Sequence, residues 1–427
     1  MARLDLAGAG VRTLPHDDVM RNMSKLTGIR LREEGPYMPI EGALRSTPAV
    51  IEAAEAERKR RDAEEAERKR REAEAERKRR EAAESGRERR EAEEGDALRA
   101  WRSKCPELRS LWDLSKPVSA WAGVSFGKSG GADAGRVVKL VLEYKKLTGG
   151  LPTAVGGLAA LKDLNLNGNQ LTSVPAELGN LAALEVLTLT VNKLTSVPVE
   201  LGRLTVLTRL NLHGNRLMSV PPAALRGLTA LLFLNLGGNQ LTSVPATLGK
   251  LCLLNELHLN GNQLTSVPTA LSGLTALTVL ILAGNQLTSV PATLGGLTAL
   301  TRLNLSDNQL TSVPVALRGL TALTRLDLED NQLTSVPAEL GQLSALETLV
   351  IRGNRLTTVP PALGGLISLT RLDLYGNQLR SVPEELGGLT ALTVLDLGTN
   401  LLTSVPAAVR RLPALTRLNL EGNAGIN

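Results

Sequence analysis

The residues best placed by type to do chemistry in this chain are three histidines, two cysteines and one Gly-Lys-Ser triplet. His213 and His258 fall two coils apart in the periodic pattern set out below. That is roughly 10 Å at ~4.8 Å per strand, too far for one metal ion whose bonds to nitrogen are ~2.0–2.1 Å. The remaining histidine, His16, stands alone near the start. Gly127-Lys128-Ser129 ends like a phosphate-binding loop, but Ala122 stands where such a loop needs a glycine. Cys105 and Cys252 are too few and too far apart for a disulfide framework, and they fit a reducing compartment. Cys252, directly after Leu251, reads as a small buried hydrophobe. No nucleophile with a base, metal cluster or phosphate cradle emerges from these spacings, so neither an enzyme nor a cofactor is expected.

What must position any functional side chain is an unusual core. Of the 427 residues, 43% are hydrophobic but only 2% aromatic, so the core is built from Leu, Val and Ala, as in a stacked array. The net charge of +6 is modest for this length and gives no sign of a nucleic-acid partner. The first twenty residues hold no unbroken apolar run, so no secretory signal is expected. No stretch of ~18 apolar residues occurs, so membrane insertion is not expected either. The composition fits a cytoplasmic chain, with nuclear and ciliary locations left open.

Four regions follow. Residues 1–48 form a weakly patterned leader in which Leu4-Asp5-Leu6 and Leu14-Pro15 faintly echo the later repeat. Residues 49–95 are crowded with charge. Between 51 and 100 there are 16 Lys/Arg and 17 Asp/Glu, with ERKRR at 57–61, 67–71 and 76–80. Glu, Arg, Lys and Ala are good helix formers, and i,i+4 pairs such as Glu57 with Arg61 add a few tenths of a kcal/mol each. The only apolar seam candidates are alanines, so a single solvated helix is favoured over a weak coiled coil. Every basic cluster is flanked by carboxylates, which favours that helix over an import signal. Ser85-Gly86 should weaken it near its end. Residues 96–136 hold Trp101, Trp112, Trp121 and Phe126 and read as a plug for the open end of an array, with a Gly/Ser-rich loop at 128–135.

Residues 137–427 repeat. Aligned on one asparagine, the coils carry Asn169, Asn192, Asn215, Asn239, Asn262, Asn285, Asn308, Asn331, Asn354, Asn377, Asn400 and Asn423. Every step is 23 residues except Asn215 to Asn239, which is 24, with the extra residue in Pro221-Pro222-Ala223-Ala224. One earlier coil has Lys145 at that place, making about thirteen. In the coil around Asn308, Leu303 and Leu305 alternate with outward residues as a short strand requires. Leu300 and Leu310 complete the layer inside. The asparagine amide both donates and accepts, so a ladder of them can satisfy backbone groups buried between coils. Val313-Pro314 opens an outer arc, where proline needs no donor, and Leu317-Arg-Gly-Leu320 suits a short helix or 3₁₀ turn.

The unit L-x-x-L-x-L-x-x-N-x-L-T-S-V-P-x-x-L-G-x-L resembles the 23-residue, Ras-group class of intracellular leucine-rich repeats, over Val137–Asn423. The resemblance implies an α/β solenoid, a horseshoe with a parallel sheet on its concave side, preceded here by the charged helix. It also implies a binding role. Trp121-Ala-Gly123-Val124, Gly135-Arg136-Val137-Val138 and Leu147-Thr148-Gly149 resemble the N-terminal cap of plant receptor-type members. Ser119 and Phe126 stand where that cap carries two cysteines, so the family's disulfide is absent. This speaks against an extracellular or immune-receptor setting. Four residues follow Asn423 with no recognisable C-terminal cap, so either the last coil is exposed or the sequence is truncated there.

Two outward columns flank the central strand leucine. The first runs from Lys139 to Arg417 and the second from Val141 to Asn419, with a third two residues further on. Arg302, Arg325, Asp327, Glu329, Arg352, Arg371, Asp373 and Tyr375 cluster across these columns, and arginine and tyrosine are favoured in binding hot spots. Two readings stand side by side: a partner-binding site, or charges that pair with one another and keep the sheet soluble. Phe233, Val279 and Ile281 offer a second, apolar patch. The expected role is a monomeric adaptor or scaffold binding a protein partner on the concave face, as in small-GTPase signalling. The alternative is a cytoskeletal or ciliary spacer tethered through the charged helix. A peptide of residues 51–94 should be helical by circular dichroism and sediment as a monomer at all concentrations; concentration-dependent dimers would overturn the single-helix reading.

Overall fold

The computed structural model describes residues 47–128 and 131–426. Residues 1–46 of the leader, including the Leu4-Asp5-Leu6 echo and His16, lie outside these, as do Ser129 and Gly130 of the Gly/Ser-rich loop and Asn427. Packing divides the chain into a unit ending at Gly86 and a second from Arg87 onward.

Helix α1 spans Thr47–Lys104. Among the described residues it carries ten i,i+4 ion pairs, from Glu57–Arg61 to Arg89–Glu93. All are solvent-exposed, so each contributes a few tenths of a kcal/mol at most. The helix passes Ser85-Gly86 and runs nine residues beyond the end expected at 95. Tertiary packing explains the difference. From Arg87 onward α1 acquires a buried face, with Glu94, Leu98 and Trp101 nearly inaccessible. That burial outweighs the roughly 1 kcal/mol that each interior glycine costs. At Gly95 the missing side chain is used, because a Cβ there would lie 3.3 Å from the Val118 side chain.

The plug is therefore built partly from α1 itself. Trp101 meets Trp112 edge-on at 6.1 Å between ring centroids, and Trp112 stacks on Trp121 at 5.0 Å. The Trp112 and Trp121 indoles donate to the carbonyls of Ala122 and Asp113. Cys105 is free and buried beside Trp101, and burial pushes its thiol pKa up. Glu94 reaches from α1 to the first coil, accepting from the backbone N–H of Val137 and pairing with Arg136. Burial holds its carboxyl above the usual range despite those two partners.

The plug also closes the sheet. Strand β1 (Val124–Phe126) runs antiparallel to β2 (Val137–Val141), the first repeat strand. The repeat strands of the 14-stranded sheet are parallel, as expected, and the plug adds one antiparallel strand at its edge. From β2 onward the repeat strands are parallel and in unbroken register, the last being Arg417–Asn419. Leu300, Leu303, Leu305, Leu310, Leu317 and Leu320 are all buried, as in every central coil. At the far end Leu418 is 37% exposed.

The outer arcs are 3₁₀ turns such as Val315–Gly319, with one exception. The 24-residue coil makes a turn of α-helix at Pro222–Arg226. An α turn takes 3.6 residues where a 3₁₀ turn takes 3.0, which accommodates the extra residue. The glycine of L-G-x-L permits close approach of coils: a Cβ on Gly295 would sit 1.9 Å from the Ala316 carbonyl oxygen.

Twelve buried asparagines bind coil to coil. Asn308 is typical. Its Oδ1 accepts from the Leu287 N–H at 3.0 Å, and its Nδ2 donates to Leu282 of the preceding coil and to Leu305 and Ser306 of its own. The Leu282 carbonyl receives Asn285 as well, but the Leu287 N–H has no other acceptor among the described residues. Asn308→Ala should therefore orphan one buried donor and lower stability by about 1–3 kcal/mol in denaturant unfolding. An unchanged midpoint would show that the ladder amide is dispensable.

Candidate protein-binding face

From the second coil onward each repeat strand is three residues long, and all but the last bury the central leucine. The two flanking residues therefore face outward, and parallel register stacks them into columns. The second column differs from expectation. Asn165, Asn211, Asn235, Asn304, Asp327, Asp373, Asp396 and Asn419 each turn Oδ1 back to accept the backbone N–H two residues on, at 2.9–3.3 Å. These residues are a second polar ladder, satisfying donors that the strand leaves at its end. Its signal in the sequence is a run of Asn and Asp two residues before a turn, which looks like ordinary surface polarity until the geometry is seen.

The clustered site residues lie on four consecutive coils. Arg302 and Arg325 are directly paired in register, as are Arg325 with Thr348 and Thr348 with Arg371. Asp327 and Asp373 are buried, at 5% and 3% exposure, not exposed as expected. The cause is that each has two partners, accepting a backbone N–H through one oxygen and a guanidinium through the other. Arg325 meets Asp327 at 3.1 Å and Arg371 meets Asp373 at 2.8 Å. Arg352 pairs with Glu329 at 3.0 Å and lies 5.6 Å over the Tyr375 ring. Burial raises the Glu329 carboxyl pKa. Arg352 pulls it down, and the neighbouring acids Asp327, Asp330 and Asp307 push it up. Three of the four arginines are thus neutralised within the sheet. Arg302 has no ion-pair partner among the described residues and stays exposed, and Tyr375 is 38% exposed.

The apolar patch is smaller than expected. Phe233 is 9% exposed because the Arg209 guanidinium lies 3.8 Å over its ring and His258 packs at 5.4 Å. Val279 and Ile281 remain half-buried. Cys252 is exposed, not buried. It occupies the place that Thr205, Thr229 and Thr275 hold in neighbouring coils, a position that faces solvent. His213 and His258 share no ligand geometry, and no group of three metal-ligating side chains occurs among the described residues. No described helix is long and apolar enough to cross a membrane.

Arg325→Ala should lower stability by about 1 kcal/mol, because it strips the cation from buried Asp327 while half of the arginine's own charge is solvent-screened. The double variant Arg325→Ala/Asp327→Asn keeps the acceptor for the Glu329 N–H and should recover most of that loss. Equal unfolding midpoints for Arg325→Ala and the parent would show the pair to be energetically idle.

Comparison with known proteins agrees with this geometry. The family profile described as Leucine rich repeat matches residues 136–194, 183–241, 205–264, 275–333, 321–379 and 367–424. A leucine-rich repeat protein of Leptospira interrogans is 35% identical, with a TM-score of 0.58 over 68% of this chain and 79% of its own. An internalin of Listeria monocytogenes is 30% identical, with a TM-score of 0.61 over 69% of this chain and 86% of its own. The PEPR1 chain of a PEPR1–AtPEP1 structure is 31% identical, with a TM-score of 0.67 over 77% of this chain and 48% of its own. No curated protein matches. The ladder, the coil period and these matches together show that the chain belongs to the leucine-rich repeat family.

Proposed function

We propose that this protein is a non-enzymatic, monomeric scaffold or adaptor that binds a protein partner on the outward face of its repeat sheet. Leucine-rich repeat domains commonly mediate protein–protein interaction. The observation that carries the reading is the face itself. Thirteen parallel strands hold unbroken register and present three aligned columns. The similar PEPR1 structure is a pair with AtPEP1, which supports a face that takes a partner. Arg302, Arg325, Arg352, Arg371 and Tyr375, with Asp327, Glu329 and Asp373 holding three of the arginines in place, form the charged part of the surface. The pairing makes these arginines pre-organised rather than freely mobile.

The 23-residue period and the two free cysteines support the intracellular, Ras-group-like class, a cytoplasmic setting and a place in signalling of the small-GTPase type. The Trp112–Trp121 stack and β1 support a plant-receptor-like cap that holds without its disulfide. The spacer reading rests on the salt-bridged α1, which has the length and polarity of a rigid strut.

Once a partner is in hand, Arg371→Ala and Tyr375→Ala should each weaken it at least tenfold in titration, equivalent to about 1.4 kcal/mol. Parent-like affinity in both, together with loss of binding on deletion of residues 51–86, would favour the spacer.

A further inference from the structure

The second ladder is interrupted, and the interruption defines a subsite. Beyond the first coil, four coils carry no Asn or Asp in the second column: Thr188, His258, Ile281 and Val350 stand there instead. In these coils the backbone N–H two residues on has no acceptor among the described residues. Only at His258 and Ile281 are two such coils adjacent, so the N–H groups of Asn260 and Ala283 are left side by side, ~4.8 Å apart by strand spacing. By equivalence with Asn304 and Ser306, where the side chain on the sheet face accepts this same hydrogen, both donors point to that face. A second, independent feature coincides. The half-buried Val279 and Ile281 occupy the same coil, and the register places Glu256 on one side of Val279 and the unpaired Arg302 on the other. Glu256 is engaged with His258 at 3.3 Å, so Arg302 is the free charge of the pair.

We propose that this break in the ladder is a docking subsite for an extended polypeptide segment bearing an acidic side chain next to an apolar one. The segment's main-chain carbonyls accept from Asn260 and Ala283, its apolar side chain covers Val279 and Ile281, and its carboxylate meets Arg302. The donors are backbone groups fixed by the coil, so these two hydrogen bonds cost no ordering of the receptor. The subsite rests on the protein-binding reading and shares Arg302 with its charged surface, but its backbone donors and apolar floor lie on different coils from Arg371 and Tyr375, so the two can fail separately.

The test uses the full chain and immobilised capped peptides with Asp-x-Leu, Lys-x-Leu and Asp-x-Ser cores. Asp-x-Leu peptides should bind best and shift the amide resonances of Asn260 and Ala283 in ¹⁵N-labelled protein. Ile281→Asn supplies the missing acceptor for the Ala283 N–H; it should melt no lower than the parent and bind at least tenfold more weakly. Arg302→Glu should invert the preference from Asp-x-Leu to Lys-x-Leu, which keeps the test decisive even if Ile281→Asn misfolds. Resonance shifts confined to the Arg371–Tyr375 coils would overturn the subsite while leaving the protein-binding reading standing. Absence of peptide-induced shifts anywhere on the sheet face would overturn both.

Discussion

A side-chain amide wedged between coils is the interaction on which everything else in this protein depends. Each coil turns away from the sheet at a point where the next coil prevents water from reaching its backbone. The leucine two residues past the ladder position is left with a buried N–H, and the leucine at the strand's end with a buried carbonyl. One group must accept from the first and donate to the second, across two coils. Asparagine carries both functions in one plane at the right reach. Aspartate has no donor, and glutamine is a methylene too long. The links from leucine N–H to asparagine Oδ1 are 2.9–3.0 Å from Asn192 to Asn423. That uniformity fixes the register of the strands and hence the alignment of the outward columns. The turn that presents the amide needs positive φ just before it, supplied by glycine in most coils and by Asp307 and Asp330 in two. Val191 and Thr399 adopt it too, at φ 51° and 49°, a conformation unfavourable for β-branched residues.

The array's first coil illustrates the same constraint by its absence. Lys145 stands at the ladder position and is exposed, so nothing on that side could bind a further coil. The plug supplies other partners: the antiparallel strand β1, the three tryptophans, and Glu94 on the Val137 N–H. An ionisable group is a costly way to satisfy one donor, as the raised pKa of Glu94 shows. It ties the last turns of α1 to the sheet edge through both the Val137 N–H and the Arg136 guanidinium.

The period made the array legible in the sequence. Twelve asparagines at fixed spacing specify ladder, strand and arc together, because each coil must repeat the same solution. What the sequence hides depends on local geometry rather than on period. Buried Asp327 and Asp373 look like surface acids until the backbone N–H two residues on is seen to aim at them. Cys252 looks like core beside Leu251, yet it takes a threonine's place outside the layer. Phe233 looks like an open patch, but Arg209 from the neighbouring strand covers it. The end of α1 follows from contacts made by Leu98 and Trp101, which no helix propensity near Gly86 or Gly95 could indicate.

The central claim is that buried asparagine amides hold the coils in register, and hydrogen exchange reads it most directly. The amides of Leu194, Leu217, Leu241, Leu264, Leu287, Leu310, Leu333 and Leu356 each donate to a ladder asparagine and lie outside the strands. If the ladder holds the coils, these amides exchange as slowly as the strand amides of Leu257, Leu280, Leu303 and Leu326, opening only with the whole array. Exchange of the ladder-bound leucines at the rate of exposed arc residues such as Thr311 would contradict the claim.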